Sequence, residues 1–118
     1  MKLIVAGTRT FSDYDLLKKE IQELDWDITG VVSGDAPGAD QLGKQWAHEN
    51  GLGCTIFPAK WDFYGKQAGP IRNREMASWG DALIAFWDGE SPGTKHMIDE
   101  MNRRKKPVRV VLYNQNQL

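Results

Sequence analysis

The sequence predicts an α/β fold built on an open, doubly wound parallel sheet of about five strands, in the order 3-2-1-4-5, with helices on both faces. Three observations carry this. Five short runs are apolar without the alternation of a half-exposed strand, so each fits a strand covered on both faces. The stretches between them place apolar residues at helical spacing. Several of the runs end in Gly-, Ser- and Thr-rich turns, which is how a strand hands over to a crossover helix.

Leu3-Ile4-Val5-Ala6 is the first strand and stops at Gly7-Thr8-Arg9-Thr10. Ser12 is placed to cap the next helix, Asp13 and Asp15 put negative charge in its first turn, and Phe11 with Leu16 fit a hydrophobic staple. Tyr14, Leu17, Ile21 and Leu24 make the apolar stripe of this helix, which is expected to end near Asp25. Ile28 to Ser33 is the second strand and Gly34 to Asp40 its turn. In the second helix Ala39, Leu42, Trp46 and Ala47 form the buried face, and Gly51 is the stop. Cys54 to Phe57 is the third strand. The segment from Ala59 to Gly69 has aromatic residues but no clean period and reads as a long functional loop. Pro70 suits the first turn of a third helix that carries Ile71, Met76 and Trp79 inward. Ala82 to Trp87 is the fourth strand and Asp88-Gly89-Glu90 a turn. Ser91 and Pro92 then cap and open a fourth helix lined by Met97, Ile98 and Met101. Val108 to Tyr113 is the last strand, with Arg109 at its edge or end, and the polar tail 114–118 is expected to fray.

A length of 118 residues is that of one domain spanning 1–118, able to bury a core without staples. With 41% hydrophobic and 26% charged residues the composition is that of an ordinary soluble protein. A net charge of -1 excludes the global basic field of a non-specific nucleic-acid binder, so any polyanion has to meet a local patch. Cys54 is the single cysteine, which rules out an internal disulfide and suits a reducing compartment; in its apolar run it reads as a small buried hydrophobe rather than a nucleophile. Leu3 to Ala6 is too short for a signal sequence or a membrane span. A cytoplasmic protein with no membrane partner is expected.

In a sheet of this order the ligand crevice lies beyond the carboxyl ends of the strands, between strands 1 and 4. Three turns converge there: Gly7-Thr8-Arg9, Ser33 to Asp40, and Asp88 to Thr94. Their small and hydroxyl residues allow close backbone approach and offer donors to phosphate oxygens. No G-x-x-x-x-G-K-[ST] occurs and no G-x-G-x-x-G follows the first strand, which disfavours standard nucleotide hydrolysis and dinucleotide dehydrogenase chemistry. Arg9 and the cluster Arg72-Asn73-Arg74 provide guanidinium forks for phosphate or carboxylate, though Arg74 fits a solvated helix face equally well. Arg103-Arg104-Lys105-Lys106 belongs to the opposite edge, where cations complement a helix C-terminus. Trp61, Phe63 and Tyr64 fit base stacking or a contact between copies of the chain, and Trp87 closes the strand beside the crevice. His48 and His96 lack ligand-spaced partners, so neither a metal site nor a cofactor is expected, and no nucleophile elbow occurs.

Taken in order, Gly7-Thr8-Arg9-Thr10-Phe11, Ser33-Gly34-Asp35-Ala36-Pro37-Gly38-Ala39-Asp40, Pro58-Ala59-Lys60-Trp61, Ala68-Gly69-Pro70-Ile71-Arg72-Asn73 with Met76, and Asp88-Gly89-Glu90-Ser91-Pro92-Gly93-Thr94 resemble the YspA-type branch of the SLOG superfamily. The resemblance runs over almost the whole chain. It implies a Rossmann-like fold and the binding of nucleotides or nucleotide-derived ligands. Relatives include the Lonely-guy phosphoribohydrolases, which cleave nucleoside 5′-monophosphates, and DprA-type proteins, which bind single-stranded DNA. Small members of the branch are similar to proteins often found in phages and mobile elements. The hydrolases carry P-G-G-x-G-T-x-x-E, whose glutamate acts in N-glycosidic cleavage; here Met97 stands at that place and can neither give nor take a proton. Arg72 with Met76 matches the hydrolases' R-x-x-x-M pattern, and Asp40, Glu75 or Asp88 are candidates to replace the glutamate.

The sequence thus leads to a nucleotide-binding protein in a sensor, carrier or sequestering role. Its expected ligand residues are Gly7, Thr8, Arg9, Ser33, Gly34, Gly38, Ala39, Asp40, Arg72, Asn73, Trp87, Asp88, Gly93 and Thr94. The alternatives are an N-glycosidase acting on nucleoside monophosphates and, disfavoured by the charge, a single-stranded nucleic-acid module. A homo-oligomer is also expected.

Overall fold

Alternating residues of the central strand divide the core in two. In the computed structural model, which describes residues 1–113, Leu3 and Val5 point to one face of the sheet and Ile4 and Ala6 to the other. The first pair packs with Leu17, Ile21, Trp46 and Ala47 of two helices, α1 (Tyr14–Gln22) and α2 (Ala39–Glu49). The second pair meets Met76, Ala77, Met97, Ile98 and Met101 of α4 (Ala68–Trp79) and α5 (Pro92–Arg103). Both faces are covered, which is why the central strands carry no polar alternation.

The strands are β1 (Lys2–Gly7), β2 (Gly30–Ser33), β3 (Gly53–Ile56), β4 (Ala82–Trp87) and β5 (Val108–Leu112). All neighbours pair in parallel, in the order β3-β2-β1-β4-β5. The chain winds outward from β1 to β3, then crosses to β4 on the other side of β1. That reversal puts α1 and α2 on one face and α4 and α5 on the other, and it opens a crevice above β1 and β4. The α/β Rossmann-like architecture and its strand order are those the sequence predicts.

Local structure corrects the sequence reading in several places. Asp13, not Ser12, caps α1: its carboxylate accepts the Leu16 N–H at 3.0 Å. The staple is therefore displaced, and Phe11 turns into the core to stack on Phe86 at 4.8 Å and meet Tyr113 edge-on. The helix stops at Gln22, short of Asp25, and β2 begins at Gly30 rather than Ile28. Shifted by one residue from the expected run, β3 alternates exposed and half-buried residues, because it is an edge strand. The segment 59–69 is not a loop: Trp61–Tyr64 form a short helix, α3, Gly65–Gln67 a 3-10 turn, and Ala68 already begins α4. Trp79 does not point inward. It is 48% exposed, with Lys2 Nζ 3.6 Å above its ring. The expected frayed tail lies outside the described residues.

Candidate functional site

Above the switch point the structure forms a cavity of about 360 Å³, within the size range of small-molecule sites. Four segments build it: the end of β1, the turn into α2, the α3–α4 junction and the first turns of α5. Of the expected residues it brings together Gly7, Arg9, Asp40, Arg72, Asn73, Gly93 and Thr94. Thr8, Ser33, Gly34, Gly38, Ala39, Trp87 and Asp88 are not among the lining residues and shape the walls from behind.

Their contacts show how. Thr8 is buried and its hydroxyl accepts the Asp88 N–H at 3.2 Å, tying the β1 turn to the β4 turn. Asp88 in turn accepts the N–H groups of Ser91 and Glu90, which hold its carboxyl below the ordinary range and fold the approach to α5. Trp87 donates its indole N–H to Ser91 O at 3.0 Å. Ser33 donates to the Asp40 carbonyl at 3.0 Å and accepts from the Asp35 N–H. Gly38 has φ +85, and a Cβ there would overlap the Thr8 carbonyl, so the β1 and β2 turns touch backbone to backbone only because this residue has no side chain. Ala39, wholly buried, begins α2 against Gly7: a Cβ on Gly7 would lie 2.8 Å from that of Ala39.

Two charged groups are sunk into the cavity wall. Asp40, in the first turn of α2, is 5% exposed. Burial raises its carboxyl to about 6, against the Ala36 N–H that it accepts at 3.2 Å and the nearby Arg72 and Arg9 guanidiniums, which pull it down. Arg72 reaches across from α4: Nη1 donates to Gly34 O at 2.8 Å and Nε to Asn73 Oδ1 at 3.0 Å. Burial pushes the guanidinium down from its ordinary value, with Asp40 opposing the shift. Gly34 is what lets it in, since a Cβ there would overlap Arg72 Nη1 and stand 2.8 Å from Asp40 Oδ2. Arg9 makes no hydrogen bond or ion pair among the described residues and lines the same cavity.

Asn73 joins the two walls. With Oδ1 committed to Arg72, its amide turns NH2 toward Gly93 O at 3.3 Å and His96 Nδ1 at 3.1 Å. This network assigns Nδ1 as the acceptor and leaves the imidazole proton on Nε2, 3.4 Å from Glu100 Oε1. Glu100 is 4% exposed; burial alone would raise its carboxyl, but the paired Arg104 and Arg103 outweigh this and hold it below its ordinary value. His96, read as isolated from the sequence, thus lines the cavity. So do Ala36, Pro70, Met76 and Ser91. The signal for His96 is its place three residues after Gly93 and four before Glu100, the spacings that align residues on one helix face.

Met97 is 1% exposed and lines the cavity as part of the core, so no carboxylate occupies that point. Of the three carboxylates considered as replacements, Asp40 alone lines the cavity among the described residues. Glu75 lies on an exposed face beside Phe57, Ile71, Arg74 and Trp79, and Asp88 is spent on its turn.

Residues 1–64 match the YspA, cpYpsA-related SLOG family. Gene 61 protein of Mycobacterium phage D29 is 33% identical over 117 residues, which cover 91% of this chain and 93% of that protein. The chain belongs to the YspA, cpYpsA-related SLOG family. Among solved structures, DNA processing protein A (DprA) from Streptococcus pneumoniae superposes on 98% of this chain with a TM-score of 0.77 and 21% identity. The SLOG chain described here spans 52% of that protein, and the likeness is one of fold. No helix among the described residues is long and apolar enough to cross a membrane.

Proposed function

We propose that this SLOG protein binds a nucleotide or nucleotide-derived ligand in the crevice over β1 and β4. The observation that carries the reading is the presence in one cavity of Arg9, free of hydrogen-bonded partners among the described residues, the half-committed Arg72 fork, and Gly93 and Thr94 of the first turn of α5. Guanidiniums with N–H groups to spare and a 12-residue helix that begins at the same cavity suit a phosphate group. Asp40 repels an anion unless it takes up a proton, so the phosphate belongs toward Arg9, Gly93 and Thr94 rather than on the start of α2. Family membership and the fold shared with DprA support a nucleotide-related ligand. The test is differential scanning fluorimetry with a panel of nucleotides, ADP-ribose and NAD. A stabilising shift with at least one is expected, and no shift with any of them refutes the reading.

A second reading, cleavage of the N-glycosidic bond of a bound nucleotide, is favoured by one observation. Asp40 is a carboxyl group in the cavity that burial holds near 6, so at neutral pH it can accept a proton and return it. Release of free base from nucleoside monophosphates, abolished in Asp40→Asn, is its expected signature; a ligand recovered intact after prolonged incubation rejects cleavage and leaves binding in place.

A further inference from the structure

We infer that Trp61 is a stacking platform for the base of the ligand, so that the crevice takes a nucleobase-bearing phosphate rather than a sugar phosphate. This rests on the reading of the crevice as a nucleotide site. Three aromatic residues crowd α3, and the structure separates them. Phe63 and Tyr64 pack edge-to-face on each other at 4.7 Å and do not line the cavity, whereas Trp61 lines it and is 49% exposed. The indole lies next to α4. A Cβ built at Gly69 would meet its Cη2 at 3.4 Å, an ordinary van der Waals distance, so the benzo edge lies alongside the first turn of α4. No other aromatic ring stacks on Trp61 among the described residues.

Pro70, Met76 and Met97 add apolar side chains to the lining that Trp61 shares with the cations Arg9 and Arg72. A ligand matching this mixed lining has an anionic end and a flat, apolar-faced end. A nucleobase joined to a phosphorylated ribose has both; a ribose phosphate has only the first. Stacking on an aromatic face is tolerant of base identity, so the platform selects for the presence of a base and leaves its identity to other contacts.

The test compares AMP, adenosine and ribose 5-phosphate by isothermal titration on the full chain, in the parent protein, Trp61→Phe and Trp61→Leu. Leucine keeps apolar bulk against Gly69 while removing the ring, and unchanged melting curves check that both variants fold. The expected result is AMP bound more tightly than ribose 5-phosphate, with that preference lost about tenfold to hundredfold in Trp61→Leu and largely kept in Trp61→Phe. Ribose 5-phosphate affinity stays constant throughout. Equal losses for both phosphates, or no loss for AMP, overturn the platform while leaving the phosphate site intact. Adenosine bound in a Trp61-dependent way, with neither phosphate bound better than adenosine, supports the platform and refutes the phosphate reading. No binding of any of the three refutes both.

Discussion

The two ends of the α4–α5 pair both gather cations and use them in opposite ways. At the far end, Arg103 and Arg104 close on Glu100, and Lys106 Nζ donates to the carbonyls of Ala77, Ser78 and Gly80 at the C-terminus of α4. Those charges are consumed by the fold: they complete a helix end and neutralise a buried carboxylate. At the crevice end, Arg72 spends Nε and one Nη1 bond on positioning, Arg9 spends none, and the nearby carboxylate is pushed by burial toward its neutral form. Three of the four basic residues in the run 103–106 thus serve the fold, and two arginines 63 residues apart line the candidate site. Sequence density of charge is a poor guide to where charge is available. Whether donors are already satisfied is the better one.

The contrast can be broken most severely at Arg72. Arg72→Gln removes the charge and the bond to Gly34 O, and AMP affinity measured by titration calorimetry is expected to fall about hundredfold, given roughly 1.5–3 kcal/mol for each charge-assisted hydrogen bond lost. Of similar size is the effect of Asp40 on stability. Its carboxyl titrates at about 6 in the folded protein against an ordinary value of 3.8, so between those values the folded state binds more protons than the unfolded. Stability from this group is therefore highest below pH 4 and falls by roughly 3 kcal/mol as the pH rises through 6. Asp40→Asn keeps an acceptor for the Ala36 N–H and is expected to flatten that part of a urea-denaturation profile taken from pH 4 to 8. A profile identical to that of the parent contradicts the burial argument.

Gly34→Ala sharpens the comparison without removing a charge. The added methyl overlaps the far end of Arg72 and stands 2.8 Å from the buried Asp40 carboxylate, so both side chains must shift, and affinity for AMP is expected to drop about tenfold with a fall in melting temperature. At the other end the expectations invert. Lys106→Met deprives three carbonyls of their donor and is expected to cost about 1 kcal/mol of stability, read as a melting shift, with AMP affinity unchanged. Arg103→Gln is the smallest, within about 0.5 kcal/mol, because the side chain is largely exposed and Arg104 still faces Glu100. An affinity loss in either of these two variants would dissolve the distinction between the two ends.

The apolar runs by themselves determined the strands, and their interleaving with helical stripes determined the sheet class and its order, because a strand buried on both faces and a one-sided helix each leave a periodic mark in a local window. The three turns at one edge followed from that order. Caps and boundaries were less legible: Ser12 and Asp13 are both good caps, and only the inward turn of Phe11 onto Phe86 chose between them. The helicity of Trp61–Tyr64 was also hidden, since four residues are too few to show a period. What tertiary structure alone decided is which side chains face the crevice and in what state. That Asn73 ties Arg72 to His96, that Gly34 makes room for a guanidinium, and that burial raises the Asp40 carboxyl to about 6 all depend on contacts between segments tens of residues apart. Burial and hydrogen-bond satisfaction are properties of the packed assembly, and no local pattern of residue types encodes them.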